Sequence, residues 1–120
     1  MTPLPRIASA HVRQMIIECL GDRSRRFIHR DNFRFLHSID LRDDELIRDL
    51  ITDLEIYELF LKPGTHPQKY QFVMRYDENE LLIHITLSPD GSHPPRVKIS
   101  VHRHNIPGPP LPLIPIQKQP

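Results

Sequence analysis

The sequence predicts an α+β fold, with N-terminal helices packed on one face of a C-terminal antiparallel sheet of three or more strands. Two observations carry this. Apolar residues recur at helical spacing through the first half of the chain, and after Pro63-Gly64 the period changes from 3.6 to 2. The 120 residues, 38% hydrophobic and 26% charged, suit one globular domain with a modest core. The domain is expected over residues 1–105, with a Pro-rich extended tail over 106–120.

Each element follows from local pattern. Val12, Met15, Ile16, Cys19 and Leu20 form one helical stripe, with Ser9 as N-cap and Gly21 as stop. A basic stretch follows, with a short strand near Phe27-Ile28 and a helical turn carrying Phe33 and Leu36. Asp40 is a suitable N-cap for a further helix marked by Leu46, Ile47, Leu50, Ile51 and Leu54. Residues 54–61, "LEIYELFL", either extend that helix or form a separate short one. Beyond it, Tyr70, Phe72, Met74 and Tyr76 alternate with Gln71, Val73 and Arg75; Leu81, Ile83, Ile85 and Leu87 alternate with Leu82, His84 and Thr86; and Val97, Ile99 and Val101 alternate with Arg96, Lys98, Ser100 and His102. "DENE" is short enough for a hairpin, and "SPDGSHPP" reads as the loop of a second.

The tail "IPGPPLPLIPIQKQP" has too many prolines for a helix or an inner strand. It reads as an extended arm on a partner or on the domain itself, or as a frayed end. The lone cysteine, Cys19, cannot form an internal disulfide and falls on an apolar helix face, which implies a buried, inert thiol. No segment has the roughly 18 apolar residues of a membrane span. The N-terminus lacks the apolar core of a signal peptide, so a cytoplasmic protein without a membrane partner is expected.

Net charge is only +1, but it is unevenly placed. Residues 40–58 hold eight acids against Arg42 and Arg48, whereas residues 91–120 hold Arg96, Lys98, Arg103 and Lys118 with no acid. Such asymmetry fits a polyanion-binding face opposite a solvated one, or ordinary clustering of surface charge.

If the apolar residues of the strands face the helices, the pleat fixes the other face. It would carry Gln71, Arg75, His84, Thr86, Lys98, Ser100, His102 and His104, a basic set free of carboxylates. Three readings follow. Histidines beside a lysine or arginine can do acid/base work on a phosphodiester without a metal or cofactor, the 2′-hydroxyl of RNA serving as internal nucleophile. His84, His102 and His104 can instead supply three imidazoles to a zinc ion. The third reading is a solvated sheet face with no chemistry. The sequence has no Gly-rich phosphate loop, CxxC pair, HExxH or nucleophile elbow.

The stretches "FIHRDNFRFLHSIDLRDDELIRDLITDLEIYELF", "YQFVMRYDENELLIHITL" and "VKISVH" resemble the MqsR-type toxins of bacterial toxin–antitoxin systems. The resemblance covers about residues 25–104 as a loose pattern, and the stretch 81–105 is also similar to the strand pairs of RelE and ParE toxins. It implies a RelE-like fold and an endoribonuclease that cleaves messenger RNA and is held inactive by a cognate antitoxin protein. Where the family strand reads "ELYIKI", Leu82 stands at the tyrosine position and His84 at the lysine position; Ser100 and His102 match "ISFH", with Val101 for phenylalanine. The tail lies outside the family pattern. On this reading His84, His102, His104 and Lys98 are the catalytic candidates, and Arg75, Arg96, Gln71, Ser100 and Arg103 are the RNA-binding ones. The competing expectation is a non-enzymatic interaction module that engages a protein through the tail or the acidic helix.

Overall fold

The computed structural model describes residues 6–29, 31–62, 69–90, 93–103 and 111–116, the side chains of residues 31, 32, 89, 90 and 93 excepted. Three helices precede most of the sheet: α1 (Ala10–Leu20), α2 (Asp31–Ser38) and α3 (Asp43–Ile56). Five strands form it: β1 (Arg26–Ile28), β2 (Phe60–Lys62), β3 (Lys69–Tyr76), β4 (Asn79–Asp90) and β5 (His93–Arg103), in the order β1-β5-β4-β3-β2. The expected antiparallel meander is β3–β4–β5, but the sheet is mixed, because β1 pairs with β5 in parallel.

The helix ends show where local chemistry decides. Ser9 caps α1, its Oγ accepting the Val12 amide at 3.2 Å, and Gly21 follows the helix in a right-handed conformation. At the other end, the Arg26 guanidinium donates to the Leu20 carbonyl at 2.7 Å, satisfying an acceptor that the helix leaves open.

Asp40 does not cap α3. Arg42 occupies that position without a side-chain cap, and Asp40 instead ends α2 at φ 58°. The Asp40 amide bonds the His37 carbonyl at 3.1 Å and the Leu41 amide bonds the Leu36 carbonyl at 2.9 Å. These are the two bonds of a Schellman ending, in which a left-handed residue follows the helix and aspartate is among the few non-glycine residues that tolerate it. Leu36 and Leu41, the apolar pair of that motif, are both buried. Asp43, Asp44 and Glu45 in the first turn of α3 complement its dipole instead.

Residues 54–61 do not continue as helix. α3 stops at Ile56, Tyr57 is extended, and Phe60 to Lys62 pair with β3. Tertiary pairing overrides the helical stripe here. Extended backbone buries the adjacent Leu59 and Phe60 on different sides: Leu59 joins the main core and Phe60 does not. The expected "SPDGSHPP" loop is also shorter, since β4 runs to Asp90 and β5 starts at His93, paired to each other beyond an irregularity between Ser88 and Asp90. Prolines tolerate such a position, where ladder bonding is already broken.

The core lies between the helices and one sheet face. Ile16, Leu20, Leu46, Leu50 and Leu54 meet Phe72, Leu81, Ile83, Ile85 and Ile99, all nearly or fully buried. Each such side chain contributes on the order of 1.5–3 kcal/mol. Arg13 ties α1 to α3 by donating to the Leu54 carbonyl at 3.0 Å. Cys19 is fully buried against the Pro95 carbonyl, 3.2 Å from Sγ, and burial pushes its thiol pKa up despite the opposing charge of Arg25.

Of the Pro-rich tail, residues 111–116 lie on the domain itself. Pro115 pairs with Tyr57 through bonds from the Glu58 amide to the Ile114 carbonyl and from the Ile116 amide to the Ile56 carbonyl, both 2.8 Å. The missing amide of Pro115 is not called on, so a proline fits this edge. Residues 6–8 likewise edge β2, where Ile7 pairs with Phe60. Among the described residues, no helix is long and apolar enough to cross a membrane.

Candidate functional site

The sheet face turned away from the helices is built by register. Lys98, Thr86, Lys69 and Lys62 stand opposite one another on β5, β4, β3 and β2, with Phe27 of β1 beside Lys98. The next row is Ser100, His84, Gln71 and Phe60, and the third is His102, Leu82 and Val73. Residues in register share a face, so these three rows lie on one side of the sheet, with Phe60, Val73 and Leu82 among them buried.

His84 and His102 are its chemical centre. They lie on neighbouring strands in adjacent rows, with ring centroids 5.2 Å apart and planes inclined at 57°. His84 is half-buried and His102 exposed. Burial first, then the positive charges of Lys62, His102 and Lys69, lower the His84 pKa from 6.5 to about 4. At neutral pH this imidazole is therefore uncharged and has a nitrogen free to accept a proton.

The sequence-predicted residues divide as follows. Gln71, His84, Ser100 and His102 come together, with Lys98 in the next row. Arg96 is on the same face but six residues along β5 from His102, about 20 Å at strand spacing. Arg75 lies beyond Val73 and stands opposite Glu80. That pairing corrects one expectation: the face is not free of carboxylates, because Glu80 has the same parity along β4 as His84. Nor is all of it open to solvent, since Phe60, Val73 and Leu82 are 1%, 4% and 8% exposed.

Arg103 is not part of this surface. The pleat turns it to the helix side, where its guanidinium carbon lies 5.7 Å from the centre of the Phe35 ring of α2. His104 lies outside the described residues, so two members of the suggested three-histidine metal set are placed. Among the described residues, no three His, Cys, Asp or Glu side chains gather as metal ligands.

Three contributors escaped the sequence reading. Lys69 was legible, because "KYQFVMRY" alternates from its first residue and gives Lys69 the parity of Gln71. Lys62 was hidden by the helical reading of residues 54–61. Phe27 was assigned to a strand, but the parallel pairing that puts it beside Lys98 has no local signal.

No family model, curated protein or solved structure matches this chain.

Proposed function

We propose that the chain is a metal-independent endoribonuclease whose helix-free sheet face holds RNA and whose His84 and His102 move the protons. The observation that carries this is the histidine pair, 5.2 Å between ring centres, set beside lysines in register on three strands. A neutral His84 takes the proton of a ribose 2′-hydroxyl as its oxygen attacks the adjacent phosphorus. The bond from phosphorus to the 5′-oxygen breaks, and His102 delivers a proton to that leaving oxygen. The products are a 2′,3′-cyclic phosphate and a 5′-hydroxyl end. The lysines stabilise the charge that develops on the phosphoryl oxygens.

The low pKa of His84 fits this role once substrate is bound. Lys62 and Lys69 help depress it, and a phosphodiester lying over them offsets their charge. RNA binding thus raises the basicity of His84 toward the range in which general bases work well. The resemblance to MqsR-type and other RelE-superfamily toxins supports the same chemistry and adds a biological setting. In that setting the protein is a cytoplasmic mRNA-cleaving toxin of RelE-like fold, silenced by a cognate antitoxin.

The test is incubation of the pure chain with single-stranded RNA in excess chelator. Cleavage leaving cyclic phosphate ends is expected, with His84→Gln and His102→Gln each slower by about 10²–10⁴-fold. RNA that stays intact under all conditions overturns the proposal, and cleavage that the chelator abolishes assigns the chemistry to a metal.

A further inference from the structure

The helix-free face carries a large apolar side chain at its edge that proton transfer does not use. Phe27, the central residue of β1, is 53% exposed. Its neighbours turn the other way: Arg26 reaches the end of α1 and Ile28 packs on the core. Parallel pairing sets Phe27 beside Lys98, and the row continues through Thr86 and Lys69 to Lys62. One line across the whole sheet thus begins with an aromatic ring and bears cations at three of its other four positions. Strands lie about 4.8 Å apart, so the line is roughly 19 Å long.

Single exposed apolar residues are common, and Phe33 and Ile56 need no explanation. Position distinguishes Phe27. Its ring ends a cationic row that passes through Thr86, two residues from His84 on the same strand and face. An aromatic platform followed by a basic track is the arrangement that suits unpaired nucleotides, whose bases stack on rings while lysines follow the phosphates. A protein surface would have to meet three lysines with carboxylates placed to match; a nucleic-acid strand carries its anions at regular intervals anyway.

Building on the RNA reading above, we propose that Phe27 stacks a base of single-stranded RNA at the β1 edge, and that the strand then crosses the sheet over Lys98, Lys69 and Lys62. Phe27 is a positioning residue on this account. It fixes which phosphodiester reaches His84 and His102, and it excludes duplex RNA, whose bases are already stacked. Stacking accepts any base, so the position tolerates sequence while demanding a base of some kind.

The chain has no tryptophan, so Phe27→Trp introduces a sole indole reporter. Oligoribonucleotides methylated at every 2′-oxygen lack the attacking hydroxyl, so binding can be read without cleavage. With these, indole fluorescence is expected to quench as binding saturates, and an oligomer of equal charge made abasic throughout should leave it unquenched. Phe27→Ala should weaken single-strand binding on the order of tenfold, Phe27→Tyr should restore it and Phe27→Leu should not. Wild-type affinity in Phe27→Ala, with an unquenched indole in Phe27→Trp, overturns the stacking proposal and leaves the nuclease reading standing. Failure of the wild-type chain to bind any RNA overturns both. A dimer that Phe27→Ala dissociates, with RNA affinity unchanged, assigns the ring to a second copy of the chain and also overturns it.

Discussion

His84 and His102 stand on neighbouring strands with their ring centres 5.2 Å apart, yet His84 is half-buried and His102 is exposed. This asymmetry gives two chemically similar side chains different environments. His84 is held neutral by burial and by nearby cations, whereas His102 meets solvent directly.

The asymmetry makes stability depend on acid. The His84 pKa is about 4 in the folded chain against 6.5 for the free side chain, so the unfolded chain binds more protons between those values. Its contribution is fully present above pH 6.5, falls as pH drops, and is gone below about 4. The linkage amounts to on the order of 1–3 kcal/mol. Urea midpoints measured from pH 7 to pH 4 should decline, and His84→Gln should flatten that decline. Parallel declines in both proteins would place the acid sensitivity elsewhere.

On the RNA proposal, Lys69 connects this titration to substrate binding. Removing its charge in Lys69→Gln should raise the His84 pKa, but not to 6.5, since burial is the larger cause. Nuclear magnetic resonance of the imidazole protons against pH reads this directly. The same variant should bind RNA more weakly, and the slope of log affinity against log salt should fall by about 1. An unchanged salt slope would remove Lys69 from the RNA track.

How much of this was legible depended on whether the signal was local. Strict alternation in β3, β4 and β5 separates the two faces, so the sequence alone groups Gln71, His84, Ser100 and His102, as the register does. Asp40 misleads because aspartate suits both a helix start and a left-handed helix end, and the Leu41–Leu36 backbone bond, with both side chains buried, decides between them. Residues 54–61 mislead because their apolar spacing also fits a helix, and what makes Phe60 to Lys62 a strand is pairing on both sides, with Lys69 to Gln71 on one and the distant Arg6 to Ala8 on the other. Arg103 misled more simply. Its charge suggested RNA, but its parity matches Val101 and Ile99, which face the helices.

That parity is testable. Arg103 lies over the Phe35 ring, a contact worth about 0.5–1 kcal/mol at an exposed site. Arg103→Ala should lower the unfolding free energy by roughly that amount, and Phe35→Leu should remove most of the difference between the two. RNA affinity and its salt dependence should stay as in the wild type, in contrast to Lys69→Gln. A loss of affinity as large as that of Lys69→Gln would put Arg103 back among the RNA contacts.

The tail offers a separate test of what the fold needs. Residues 111–116 make two backbone bonds to Ile56 and Glu58 and half-bury Leu111 and Ile114. The bonds are worth about 1 kcal/mol each, and partial burial of two apolar side chains adds a similar amount. Ordering six residues, two of them prolines with φ already fixed, opposes this by a comparable amount, so the global stability of a chain ending at residue 110 should stay close to that of the full chain. Because Tyr57 forms the junction between α3 and β2, the effect of truncation should concentrate there. Hydrogen exchange at the Glu58 amide should speed up far more than at amides of β4, whose strand partners are β3 and β5. Uniform acceleration at both sites would mean that the tail stabilises the whole domain rather than this junction, and no acceleration at Glu58 would mean that the pairing is too weak to matter in solution.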